Sequence, residues 1–115
     1  MTDFPKRGEI WLARLDPAIG AEIKKTRPAI VVSNNLNNQY ADLVTIVPIS
    51  GESLKTYPFE IAIPVEKTGL SKPSKAKCQQ IKTLDKMRLV KRLGAIDQAL
   101  IFQIDEALKL HLGIE

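Results

Sequence analysis

The sequence predicts a small, mainly antiparallel β-barrel with one helix packed across it, an SH3-like architecture. Short apolar or alternating segments recur along most of the chain, each bounded by Pro, Gly or Asn, as in all-β folds. The last segment, from Asp97 to Gly113, instead has the apolar periodicity of an amphipathic helix. With 115 residues the chain has the size of one domain, and we expect residues 1–115 to form it.

The first half of the chain predicts three strands. Glu9 to Leu15 alternates between two apolar faces and ends at a loop, residues 16–25, that is long enough to act as a flap. Ala29 to Ser33 is the second strand, and Asn34 to Asn38 forms a polar or short helical turn. Leu43 to Ile49 is expected to be the most buried strand, with a bulge or an edge position at its proline.

The second half predicts shorter strands and the helix. Strands are expected around 61–63, at 76–80 where Ala, Cys and Gln alternate with other residues, and at 87–93. Asp97 has the position of an N-cap and Gly113 that of a helix stop, while Ile96 and Ile101 are placed as a hydrophobic staple. Trp11 and Phe102 fit core positions better than exposed ones.

Basic residues are clustered along the chain, whose formal net charge is +4. One cluster is Lys24-Lys25-Thr26-Arg27. Between Lys75 and Arg92 there are seven basic residues and one acidic residue, a net charge of +6. Such a tract is also typical of a solvated strand face. The two clusters together favour a polyanionic partner, and nucleic acid is the commonest one.

Cys78 and His111 are the sole residues of their types, so no internal disulfide and no zinc site of Cys and His is expected. We expect Cys78 to be a buried strand residue and His111 to have a structural role in the last helical turn. No apolar run approaches the roughly 20 residues of a membrane span, and the first residues lack the order of a signal peptide. A cytoplasmic protein without a membrane or metal partner is expected.

Arg27 precedes Pro28 and an apolar strand, which places a guanidinium at the mouth of that strand. The planar fork of an arginine suits a phosphate, and Lys24 and Lys25 add a basic approach. The alternative is an arginine that closes a strand end and pairs with Glu22. Spacing alone leaves both interpretations open.

Five blocks of the sequence occur in the order and spacing of the MazF/PemK/Kid family, and the chain resembles that family over nearly its whole length. The blocks are Arg7-Gly8-Glu9-Ile10-Trp11, Gly20-Ala21-Glu22, Lys25-Thr26-Arg27-Pro28, Val47-Pro48-Ile49-Ser50 and Gln80-Ile81-Lys82-Thr83-Leu84-Asp85-Lys86. Family members are toxins of bacterial toxin-antitoxin pairs, mostly sequence-specific endoribonucleases that act on single-stranded RNA as homodimers.

The resemblance implies a CcdB/MazF-like barrel in which Arg27 and Ser50 carry the chemistry. The residues it implies for RNA binding are Glu22, Lys24, Lys25, Thr26, Gln80, Lys82 and Thr83. The expected protein partner is an antitoxin with an acidic, flexible C-terminal segment. Two positions depart from the family, because Ser50 stands where Thr is usual and Ile23 where Gln is common.

The residues present favour RNA cleavage without a cofactor. The chain has no Cys/His set and no carboxylate cluster, so the expected nucleophile is the 2′-hydroxyl of the RNA. Arg27 and Ser50 would stabilise the charge that develops on the phosphate. A guanidinium is a poor base, and the general base stays open between Glu22 and Asp85. Tyr57 and Tyr40 are further candidates for contact with bases.

Two other functions remain open at this stage. A CcdB-like gyrase poison has the same fold, but its C-terminal Trp-Gly-Ile is reduced here to Gly113-Ile114. A catalytically silent RNA-binding barrel would show the same basic tracts.

Overall fold

Seven antiparallel strands and two α-helices occupy the part of the chain that the computed structural model describes, residues 3–51 and 57–115. In chain order the elements are β1 (Glu9–Arg14), β2 (Thr26–Val31), α1 (Asn35–Tyr40), β3 (Leu43–Gly51), β4 (Glu60–Ile63), β5 (Ser74–Lys77), β6 (Lys82–Asp85), β7 (Leu89–Ala95) and α2 (Gln98–Leu112). Short 3₁₀ turns at Cys78–Gln80 and Lys86–Arg88 precede β6 and β7. The predicted fold class, mainly antiparallel β with a C-terminal helix, is confirmed.

Strand β3 is the hub of the sheet, whose order is β4-β5-β3-β2-β1-β7 with β6 also paired to β3. Its first residues, Leu43–Ile46, pair with β6, and its last, Ile49–Gly51, pair with β5. Pro48, which has no N–H, lies between these two pairings and is matched with Ala29 of β2. The expected irregularity at Pro48 is therefore the point where β3 changes partner. Within the described residues β4 and β7 are the two ends of an open, barrel-like sheet.

The core lies on both faces of the sheet because side chains alternate along each strand. Ile30 of β2 belongs to the cluster under α2, with Ile10 and Val47, whereas its neighbours Ala29 and Val31 belong to the opposite cluster. Full burial of an Ile or Val contributes about 1.5–3 kcal/mol, so strands buried on both faces supply much of the stability.

Helix α2 begins and ends as the sequence predicts. The Asp97 carboxylate accepts a hydrogen bond from the backbone N–H of Leu100 at 2.9 Å, and Gly113 closes the helix with φ of +71°. Ile104 and Ala107 face the core. Among the described residues no helix has both the length and the apolar character that a membrane crossing requires.

Several expectations were wrong in detail. Phe102 is 65% exposed on α2, whereas Trp11, as expected, packs against the core: it is half-buried against the cluster that contains Ala29 and Val31, and its indole N–H donates to Glu9. The fifth strand ends at Lys77 because the chain turns into a 3₁₀ helix at Cys78, and β6 is a separate strand. The final strand starts at Leu89, since the Asp85 carboxylate caps a 3₁₀ turn before it.

Candidate active site and nucleic-acid interface

Arg27 and Ser50 lie on neighbouring strands at one end of the sheet. The pairing matches Ala29 with Pro48 and Ile30 with Val47, and this register, continued by two residues, places Arg27 opposite Ser50. Both side chains line one open cavity of about 290 Å³. The structure thus brings together the two residues predicted to carry the chemistry.

The donors of both residues are largely available to a ligand. Arg27 is exposed, and its Nε donates to the carbonyl of Lys24 at 3.3 Å. In residues 3–51 and 57–115 it makes no ion pair, and Glu22 instead accepts from the backbone N–H of Ile19 at 2.6 Å. The Ser50 hydroxyl has a long contact of 3.5 Å to the next carbonyl. The alternative of an Arg27–Glu22 pair is not observed.

The loop between β4 and β5 brings a second cation, Lys72, to this cavity. Its Nζ lies 3.6 Å from where a Cβ on Gly51 would be, so the ammonium sits against the end of β3. Gly69 has φ of +79°, and a Cβ there would lie 2.1 Å from the carbonyl oxygen of Leu93. The loop therefore packs directly on the backbone of β7, at a distance that only glycine permits. No carboxylate is found among the described residues that line the cavity.

A larger groove of about 630 Å³ opens next to the cavity, and adjacent residues of β3 line the two sites. Pro48 lines the groove, whereas Ile49 and Ser50 line the cavity. The aromatic rings of Tyr57 and Phe59 stack at the groove with centroids 5.4 Å apart and planes 4° from parallel. Polar side chains complete the lining, and these are Glu22, Gln79, Gln80 and Lys82.

Gln80 holds the flap between β1 and β2. Its amide oxygen accepts from the backbone N–H of Ile23 at 2.7 Å, and its amide nitrogen lies 3.5 Å from the carbonyl of Ala21. Ile23 itself packs on the core with its side chain at the groove. The Gln80 amide is therefore engaged within the chain, and its expected contact with RNA stays a prediction.

Beside the groove lies a buried carboxylate that sequence reasoning missed. Glu60 is 6% exposed, and its carboxylate accepts from Lys77 Nζ and Gln79 Nε2, both at 2.9 Å. Burial acts to raise the pKa of Glu60, but the hydrogen bonds from Gln79 and Lys77 and the charge of Lys77 bring it below its ordinary value. Glu60 is thus an ionised group that orients Gln79.

The other residues predicted to bind RNA are distributed around these two sites. Lys24, Lys25 and Thr26 are exposed on the flap and at the start of β2, and Lys25 has φ of +70°. Lys82 lies in the groove with Nζ 3.4 Å from the carbonyl of Leu15, the residue after β1. Thr83 lies apart on β6, where its hydroxyl contacts Thr45 at 2.7 Å.

Among the described residues that line the cavity and the groove, neither Cys78 nor His111 is found. Burial, with the nearby charge of Glu60, raises the pKa of the Cys78 thiol to about 12. His111 packs against Phe59 with ring centroids 6.0 Å apart. Across the described ranges no group of three or more His, Cys, Asp or Glu side chains is placed to hold a metal ion.

These features define a class of protein, a small β-fold with a cationic, hydroxyl-bearing cavity beside an aromatic groove. Residues 6–112 match the model of the family described as PemK-like, MazF-like toxin of type II toxin-antitoxin system. The chain belongs to this family.

Individual relatives agree with the family match. The chain is 41% identical over 114 residues to endoribonuclease MazF9 of Mycobacterium tuberculosis, and the alignment covers 95% of this chain and 97% of the relative. A crystal structure of MazF from Deinococcus radiodurans has the same fold, with a TM-score of 0.84, 24% identity, and coverage of 98% of this chain and 100% of that one. A mycobacterial endoribonuclease in complex with its cognate antitoxin matches with a TM-score of 0.79 and 26% identity over 96% of this chain and 97% of that one.

Proposed function

We propose that this protein is a toxin that cleaves single-stranded RNA, mRNA included, at specific sequences. One observation carries the proposal: Arg27 and Ser50 share a cavity without a carboxylate among its described residues, directly beside a groove with a stacked aromatic pair. A cavity of cations and hydroxyls suits a phosphodiester, and an aromatic groove suits unpaired bases. The endoribonuclease relative at 41% identity supports the same activity.

The reaction we propose is an internal transfer. The 2′-oxygen of the RNA bonds to the adjacent phosphorus, the bond from phosphorus to the 5′-oxygen breaks, and the 2′-hydroxyl proton leaves while a proton reaches the 5′-oxygen. The products are a 2′,3′-cyclic phosphate and a 5′-hydroxyl. Arg27 and Ser50 donate hydrogen bonds to the phosphoryl oxygens as their charge grows, and Lys72 adds a second positive charge.

The general base is still open, although the two candidates now differ. Glu22 lines the groove beside the cavity, whereas Asp85 caps a 3₁₀ turn through the backbone N–H of Met87 at 2.8 Å and lines neither site. The position of Glu22 therefore favours it over Asp85.

The test is cleavage of a long single-stranded RNA, with both new ends mapped. We expect cuts at a recurring sequence, a cyclic phosphate on the upstream fragment, full activity in excess EDTA, and no cut when the nucleotide 5′ to the scissile bond is 2′-deoxy. Cleavage of the deoxy strand at a comparable rate would overturn internal attack. Tight RNA binding without any cut would instead identify a silent RNA-binding barrel.

The gyrase-poison alternative loses support from the structure of the C-terminus. Gly113 has a left-handed conformation and closes α2 with a backbone bond to Leu110, which accounts for this glycine without a gyrase contact. A supercoiling assay with purified gyrase checks this, and we expect no inhibition at concentrations that cleave RNA completely.

We propose a homodimer that forms through apolar residues exposed on α2. Most of Leu43–Ile49 lies inside the fold, so this strand offers no large apolar face. Exposed apolar residues are found on α2 instead, where Phe102 is 65% and Leu110 58% exposed beside Pro58 and Ile61. Light scattering at micromolar concentration tests the dimer, and Phe102→Glu is expected to shift the mass toward the monomer.

The proposed protein partner is an antitoxin with an acidic, flexible C-terminal segment that competes with RNA for Arg27 and the flap lysines. A mycobacterial structural neighbour is an endoribonuclease held with its cognate antitoxin, which supports such a pairing. Contacts between exposed charges weaken with salt, so affinity should fall as ionic strength rises. Because the substrate and this partner are cytoplasmic molecules, we place the protein in the cytoplasm.

A further inference from the structure

We propose that Gln79 selects one base of the bound RNA, because its amide oxygen is placed to accept a hydrogen bond from an N–H on the Watson–Crick edge of that base. The inference deepens the proposed function, since it presumes that single-stranded RNA occupies the groove. Its starting point is that Gln79 Oε1 is buried and has no hydrogen-bond partner among the described residues. Buried polar atoms are rarely left so, and each such exception calls for an explanation.

The orientation of this amide is set by its neighbours. An ionised carboxylate accepts hydrogen bonds and donates none, so the NH₂ group of Gln79 must be the end that faces Glu60, at 2.9 Å. Lys77 bonds the same carboxylate oxygen and keeps the carboxylate charged. The oxygen of the Gln79 amide is therefore the end that points away from Glu60. The amide cannot flip, because a flip would place this oxygen against the carboxylate.

The location of Gln79 explains why a base is the expected occupant. Gln79 and its neighbour Gln80 lie on the same short 3₁₀ turn and both line the groove, but Gln80 uses its amide to hold the flap. The stacked rings of Tyr57 and Phe59 line the same groove and offer a flat apolar surface. A base that packs there and meets a fixed acceptor is a common way to read single-stranded RNA.

The chemistry recognised is an N–H donor at one position of the base edge. All four bases carry such a donor, but at different places: on a ring nitrogen in uracil and guanine, and on an exocyclic amine in adenine, cytosine and guanine. A single fixed acceptor therefore pairs with the base whose N–H lies opposite it. A site built around a buried polar group discriminates strongly against ligands that leave this group unpaired. We expect a base without the donor to bind about 10- to 100-fold more weakly.

The experiment measures binding rather than cleavage, so that it does not depend on turnover. Fluorescent single-stranded oligonucleotides carry 2′-deoxy at the cut site, and each flanking position is varied through the four bases. Wild type is compared with Gln79→Met, which keeps the length of the side chain but not its oxygen, and with Gln39→Met on the exposed face of α1 as the matched control. We expect Gln79→Met to lose preference at one position alone, and Gln39→Met to keep every preference.

Modified bases at that position identify the donor. N3-methyluridine or 1-methylguanosine removes the ring N–H, and dimethylation of the adenine, cytosine or guanine amine removes the exocyclic one. The modification that removes the bonded N–H of the preferred base should weaken wild-type binding by the stated factor and leave binding by Gln79→Met nearly unchanged. Circular dichroism checks that Gln79→Met folds. If it does not fold, wild-type binding of the modified bases still shows whether an N–H of the base is bonded.

The outcomes separate this inference from the proposed function. If Gln79→Met keeps the wild-type preference at every position, or no blocked base weakens wild-type binding, Gln79 does not select a base, whether or not the RNA is cleaved. If natural RNA is never cut but base selection depends on Gln79, the endoribonuclease proposal fails and the inference stands.

Discussion

Replacing Arg27 with alanine should abolish RNA cleavage and leave the fold intact. The cost in stability follows from the contacts of this residue: it is exposed, and within the described residues its side chain donates one hydrogen bond, to the carbonyl of Lys24 at 3.3 Å. A hydrogen bond of this kind contributes at most about 1 kcal/mol. For a chain of this size that corresponds to a decrease of about 4 °C in the melting temperature.

The cost in activity should be far larger. Removal of one hydrogen-bond donor to a developing oxyanion costs about 10²- to 10³-fold in rate. A guanidinium at a transferring phosphoryl group supplies charge as well as donors and is worth about 10³- to 10⁵-fold. We therefore expect Arg27→Ala to slow cleavage at least about 10³-fold. Arg27→Lys keeps the positive charge but loses the planar fork of donors, so its cleavage rate should lie between those of wild type and Arg27→Ala.

The assay is single-turnover cleavage of a fluorescent RNA, measured beside thermal unfolding followed by circular dichroism. Arg92→Ala is the matched control, because Arg92 is also an exposed arginine but lies on β7, where it pairs with Glu9 at 2.7 Å. A melting temperature lowered by about 10 °C or more would show that Arg27 is mainly structural. Activity within tenfold of wild type would remove Arg27 from the reaction.

Three further predictions concern single side chains. Ser50→Ala should slow the same cleavage reaction about 10²-fold, as expected for one lost transition-state hydrogen bond. Ser50→Thr should stay active because it keeps the hydroxyl. Equal cleavage rates for Ser50→Ala and wild type would contradict this role. Glu60→Gln should destabilise the protein at pH 7 by about 1–3 kcal/mol, since Lys77 loses a charged acceptor. Because the pKa of Glu60 is lowered from 4.5 in the folded state, its ionised form stabilises the protein above that pH, and the gap in melting temperature should close as the pH falls through the lower folded pKa. Cys78, with a pKa of about 12, should resist a thiol reagent at pH 8 until the protein is unfolded, and rapid labelling of the native protein would show that it is accessible.

The features that the sequence predicts correctly depend on local chemistry. Asp97 and Gly113 mark the ends of α2 because capping uses residues close in sequence, and Arg27 lies at the start of β2 because Pro28 and an apolar run follow it. The presence of Ser50 in the same cavity was implied by the family resemblance and not by local chemistry. The exposure of Phe102 was not predictable in this way, because the side of α2 that faces the sheet depends on packing between segments far apart in sequence.

The missed parts of the site depend on contacts between distant segments. Glu60 is the first residue of the short strand β4, and nothing near it in sequence indicates burial against Lys77 and Gln79, 17 and 19 residues later. Lys72 lies in a loop with glycine and proline, which predicts a turn but not the packing on β7 that brings the ammonium to the cavity.

The order of residues along β3 has a consequence for how specificity can change. Pro48 lines the groove, and the hydroxyl-bearing residue of the cavity, Ser50, follows two positions later on the same strand, about 7 Å away at the usual rise. That strand is paired on both edges, with β2 on one and with β5 and β6 on the other. In the proposed complex this pairing would fix the distance between the base in the groove and the phosphate in the cavity. Substitutions that remodel the groove should therefore change which base is chosen while the cut stays at the same distance from it.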